Sequence, residues 1–168
     1  LTNTFTFANN ITVDLYEYTP TSSGVKEQNG YAYENLVAGQ ELMKDVDVEL
    51  NTEVDSYLFV KIAEGAVGDY ALELGAIDSG WTKLTNTQDG GSAYAVYGRA
   101  VAADGDVDPF DLFDTVTVPD VELSGDTTAT LKDVVIDVYA VQADLGDSVT
   151  DVASAYTFLT ADGTDIFA

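Results

Sequence analysis

The sequence predicts an all-β chain, a jelly-roll-like β-sandwich with one or two short helices, one of them near the C-terminus. Three observations lead there. Apolar and polar residues alternate with period 2 over much of the chain. Breaks rich in Gly, Asn and Asp separate short segments about every ten residues, the rhythm of a sandwich. Finally, 46% of the residues are apolar, including ten Tyr and seven Phe, enough for a real core. A chain of 168 residues makes one domain of ordinary size and needs no covalent staples.

The first segment, Leu1-Thr-Asn-Thr-Phe-Thr-Phe7, places Leu1, Asn3, Phe5 and Phe7 on one face and Thr2, Thr4 and Thr6 on the other. Asn9-Asn10 interrupts it, and Ile11–Tyr16 alternates again. Residues 19–30 are turn-rich and read as a surface loop. Asp45–Leu50 is the cleanest half-buried strand, with Val46, Val48 and Leu50 inward and Asp45, Asp47 and Glu49 toward water. Tyr57–Ile62 is apolar at nearly every position, which suits a central strand buried on both faces. Further strands are expected at Tyr70–Leu74, Trp81–Leu84, Ala93–Tyr97, Thr115–Val118 and Val134–Val141.

Two segments break the alternation. Asp108–Phe113 reads as a short turn of helix, with Pro109 at its first position after an acidic cap. Ser148–Leu159 has Val152, Ala155, Tyr156 and Leu159 at helical spacing, opened by Ser148 or Thr150 as N-cap. The expected division is an N-terminal strand and linker over residues 1–10, then a single sandwich domain over 11–168.

Charge and composition exclude whole classes of function. Thirty acidic side chains against six basic ones give a net charge of −24, so nucleic acid and anionic membranes are poor partners. With no His and no Cys there is no imidazole base, no thiolate and no zinc site of the usual kind. The chain reads as a non-enzyme. No stretch of about 18 apolar residues exists to insert in a bilayer. A start at Leu1 without initiator Met is what a processed, exported chain would show, or a sequence trimmed at its end.

Four features could carry chemistry. Asp104, Asp106 and Asp108 stand at alternate positions like the start of a calcium loop, but Pro109 replaces the turn Gly and Thr115 the closing Glu. A solvated acidic loop is the ordinary reading, and a weak calcium site the alternative; no other cofactor is expected. Paired carboxylates about 5–10 Å apart could hydrolyse glycosides, yet spacing in sequence identifies no such pair. Tyr57, Phe59, Trp81, Tyr94 and Tyr97 could form a carbohydrate platform, although aromatics on strands more often pack in cores. Leu1–Phe7 carries no side-chain charge in a chain where 21% of residues are charged. Such a segment either pairs within its own sheet or is donated as a strand to a neighbouring copy.

The order of motifs resembles the TasA/camelysin family, exported proteins of Gram-positive bacteria processed by a dedicated signal peptidase. Thr2-Asn-Thr-Phe-Thr-Phe7 followed by Ile11-Thr-Val-Asp-Leu15 is similar to that family's opening strands. Leu36-Val-Ala-Gly-Gln-Glu-Leu-Met-Lys-Asp45 resembles its turn motif, with Ala38 where the family usually has Pro. Tyr57–Ile62, Gly80-Trp-Thr-Lys83, Ala93–Tyr97, Leu112–Val118 and Val138-Tyr-Ala-Val-Gln-Ala143 follow in the family's order. The resemblance implies a secreted jelly-roll subunit of an extracellular biofilm fibre, a homopolymer joined head to tail by exchange of an N-terminal strand. Leu1, Thr2, Asn3, Thr4, Phe5, Thr6 and Phe7 would be that donor strand. In the fibre-forming type member the donor is a longer segment ahead of this motif, so here either Leu1–Phe7 donates or the donor lies ahead of Leu1. The metallopeptidase activity described for camelysin does not carry over, because a chain without His cannot hold its zinc motif. A monomeric cell-surface adhesin or carbohydrate-binding module on the same sandwich is the alternative.

Overall fold

The computed structural model describes residues 11–18, 26–27, 30–84, 95–103, 109–121 and 129–168. Among these the chain is an all-β sandwich of two antiparallel sheets with one short helix. The strands are β1 (Ile11–Tyr18), β2 (Lys26–Glu27), β3 (Glu41–Thr52), β4 (Ser56–Glu64), β5 (Glu73–Leu74), β6 (Thr82–Leu84), β7 (Val96–Val101), β8 (Phe110–Thr117) and β9 (Val134–Gln142). The helix α1 spans Val152–Leu159. The first sheet has the order β2-β1-β3-β8-β5 and the second β6-β7-β4-β9.

Alternation decides what meets between the sheets. Val46, Val48 and Leu50 of β3, with Leu112, Phe113 and Val116 of β8, pack against Leu58, Val60 and Ile62 of β4 and Tyr97 of β7. The chain passes from β3 to β4 through a tight corner where the buried hydroxyls of Thr52 and Ser56 lie 2.8 Å apart and satisfy each other. β4 is central and buried on both faces, as expected, and α1 explains the second face. Tyr57 and Phe59 form a smaller cluster with Leu84, Val96 and Ala155, against which Tyr156, Ile166 and Phe167 pack. The helix can lie this close because position 98 is glycine: a Cβ there would sit 2.6 Å from Val152 Cγ2 and 3.2 Å from the Phe59 ring.

Three expectations change. Residues 110–113 are strand, not helix. Successive apolar residues mimic helical spacing there because β8 carries an irregularity: Asp111 pairs with Asp47 and Phe113 with Val46, so Leu112 is the extra residue. The helix cap is Asp151 rather than Ser148 or Thr150. Its carboxylate accepts from the Ser154 backbone at 2.7 Å, and the Ser154 hydroxyl accepts from the Asp151 backbone at 3.0 Å, a capping box. Hydrogen bonds to the carboxylate from the Ser154 backbone, then from the Ser154 side chain, hold the Asp151 carboxyl below its usual range. Lastly, Asp47 does not face water. It is only 2% exposed, walled in by Tyr16 of β1 and Asp111 of β8 on either side.

Candidate functional site

A groove of about 1010 Å³ lies between the sheets near the start of β9. Leu15, Leu42, Val46, Leu72, Val116 and Ile136 give it apolar walls. Its far side is built by residues 129–133, which a parallel bridge between Tyr70 and Leu131 holds in place. Asp69 clamps the same segment by accepting from the Thr130 backbone at 2.9 Å and the Thr130 hydroxyl at 3.1 Å, which holds its carboxyl below the usual range. Beyond it, β9 is an edge strand: among the described strands it pairs with β4 alone. β9 is nine residues long and carries a single charge, Asp137, so little in its composition discourages another strand from adding there.

One polar cluster interrupts the apolar walls. Glu17 and Lys44 occupy inward positions of β1 and β3 and are 5% and 9% exposed. Lys44 Nζ donates to Glu17 Oε2 at 2.8 Å, and the Tyr33 hydroxyl donates to Glu17 Oε1 at 2.6 Å. Burial, then the bond to Glu17, pushes the Tyr33 hydroxyl well above its ordinary pKa. Gly30, at φ +72°, lets the backbone come close enough that a Cβ would lie 3.2 Å from Glu17 Oε2. A buried pair of this kind contributes little net stability over apolar residues of the same size, while removing one partner costs about 3–5 kcal/mol. The signal was present in the sequence: Val13, Leu15 and Glu17 share one phase, as do Leu42, Lys44 and Val46, so each alternation carries a charge where an apolar residue belongs.

A second cluster sits outside the core on the first sheet. Asp47 hydrogen-bonds with Asp111 and with Tyr18, and its Oδ1 has no partner among the described residues. Burial and the adjacent Asp111 push the Asp47 carboxyl up to about 6. Asp45 is raised too, by burial and then by Asp114 and Asp111. Two carboxyls face each other here on adjacent strands; spacing in sequence gave no sign of it, because β3 and β8 are far apart along the chain.

Of the predicted site residues, Leu1–Phe7 and Asp104, Asp106 and Asp108 lie outside the described residues, as does Tyr94. Among the described residues no group of three or more carboxylates is placed to hold a metal ion. Tyr57, Phe59, Trp81 and Tyr97 are between 0% and 7% exposed and belong to the core, so they form no carbohydrate platform. Trp81 in addition donates its Nε1–H to the Asp111 carbonyl at 2.7 Å. No helix among the described residues is long and apolar enough to cross a membrane. No protein-family model matches the chain, and neither a curated protein nor a solved structure matches it.

Proposed function

We propose that this chain is the structural subunit of an extracellular filament, polymerising head to tail by donating Leu1–Phe7 to the inter-sheet groove of the next copy. The observation that carries this reading is the groove itself, with an apolar floor of residues such as Leu15, Leu42, Leu72 and Val116, bordered by the edge of β9 that is unpaired among the described strands. An uncharged strand with alternating large apolar groups matches such a site: its backbone continues the sheet while its side chains fill the space between the sheets. Leu1, Phe5 and Phe7 would each contribute roughly 1.5–3 kcal/mol if fully buried. Because donor and acceptor are different parts of the same chain, the contact does not close on itself and propagates. The net charge of −24 would keep filaments apart, and divalent cations would screen or bridge them.

Negative-stain electron microscopy of the full chain beside a variant lacking Leu1–Phe7 tests the proposal. Filaments in the first and none in the second are expected. Monodisperse particles of about 18 kDa in both would end the filament reading and favour a binding module.

A further inference from the structure

We infer that Glu17, Lys44 and Tyr33 form a polar register point in the groove that receives the side-chain amide of Asn3 from the neighbouring copy. The inference rests on the strand-donation reading and adds what fixes the strand's position. Each surface carries a polar break among its inward-facing groups. Glu17 and Lys44 are the buried charged residues of the groove, joined by the Tyr33 hydroxyl; Tyr31, Asn35, Thr130, Lys132 and Asp133 also line it but are half-buried or exposed. In Leu1–Phe7, the face bearing Leu1, Phe5 and Phe7 is apolar except for Asn3.

The chemistry of the two breaks is complementary. An ammonium has three N–H donors, and among the described residues Lys44 spends one of them, on Glu17 Oε2. A carboxylate accepts up to about four hydrogen bonds, and Glu17 receives one from Lys44 and one from Tyr33. An Asn amide offers both halves of what remains: its oxygen accepts from Lys44 and its NH2 donates to Glu17. A Thr hydroxyl is shorter, and Leu or Phe offers neither.

This pairing penalises each wrong alignment. A slip by one residue turns Thr2, Thr4 and Thr6 inward and the phenylalanines outward. A slip by two keeps the correct face but sets Leu1 or Phe5 against a nearly buried ammonium, leaving its spare donors unsatisfied. A lone polar position in an apolar seam that specifies register at some cost in stability is a known use of buried polar groups.

A donor–groove exchange tests it. Four full-length chains are needed: the unaltered protein, Asn3→Leu, Glu17→Leu with Lys44→Met, and all three changes together. The paired groove change replaces the ion pair with apolar groups of similar size, so neither charge is stranded, and circular dichroism confirms that each variant folds. The critical concentration for filament formation is then measured by sedimentation. Asn3→Leu alone and the groove change alone should each raise it about tenfold or more, and the triple variant should recover most of the loss. Equal critical concentrations for all four would overturn the register point while leaving strand donation standing. Failure of the unaltered protein to form filaments would overturn both.

Discussion

Asp47 shows how one side chain can set a protein's response to pH. Its carboxyl titrates at about 6 in the folded chain against an ordinary 3.8, because burial and the neighbouring Asp111 disfavour its charge. Below the unfolded value both states hold the proton and the site is neutral in its effect. Between the two values the folded chain binds more protons than the unfolded one, so stability falls as pH rises and the loss is complete above about 6. The penalty is on the order of 2–3 kcal/mol at neutral pH. Asp47→Asn, which keeps the shape and can donate to Asp111, is expected to raise the melting temperature at pH 7.5 and to leave it nearly unchanged near pH 4. Thermal unfolding followed by circular dichroism at both pH values checks this; equal gains at both would mean the carboxyl is not the source. Arg99 illustrates a different residue-scale solution: its guanidinium is stacked 3.9 Å from the Phe110 ring centroid and 5.4 Å from that of Trp81, so aromatic faces hold a charge whose Nε finds no hydrogen-bond partner among the described residues.

At the scale of elements, β9 has two unlike edges. One edge pairs with β4 along its whole length, and the other has no hydrogen-bonded strand among the described residues, although β1 runs close to β9. Val135, 41% exposed at the groove, is where a charge can block the open side without disturbing the core. Val135→Lys is expected to change the unfolding free energy by less than about 0.5 kcal/mol and to abolish filaments, since edge lysines are a standard guard against strand addition. Filaments of normal length from this variant would show that growth does not use β9. Strands of both sheets were legible in the sequence wherever period 2 held without interruption: β1, β3, β4 and β9 were read from alternation or continuous apolar runs. The first half of β8 was not, although its end was expected as strand from Thr115, because the extra Leu112 puts two buried residues in succession and breaks the period at the point where the strand crosses Asp47. The cap of α1 was misplaced for a related reason. Ser148, Thr150 and Asp151 are all good caps, and only geometry selects the one three residues before Ser154. The Glu17–Lys44 pair was readable from its inward phase, whereas the Asp47–Asp111 pair depends on which strands become neighbours, and alternation does not contain that information.

Among the described residues, the molecule is covered on one side and uncovered on the other. α1 and the tail carrying Ile166 and Phe167 close the outer face of the second sheet, with Lys61 near both Asp165, at 3.7 Å, and the Phe167 ring, at 5.7 Å. The groove beside β9 has no such cover among the described residues. Apolar walls that stay hydrated in a free subunit leave a calorimetric trace. Their hydration raises the heat capacity of the free subunit, and closing the groove with a strand removes that excess. Assembly enthalpy should therefore become steadily more exothermic between about 10 and 35 °C, with a negative slope that scales with the apolar area covered. Isothermal titration of subunits onto filament ends would read that slope directly. An enthalpy independent of temperature would mean that the walls remain wet when copies join.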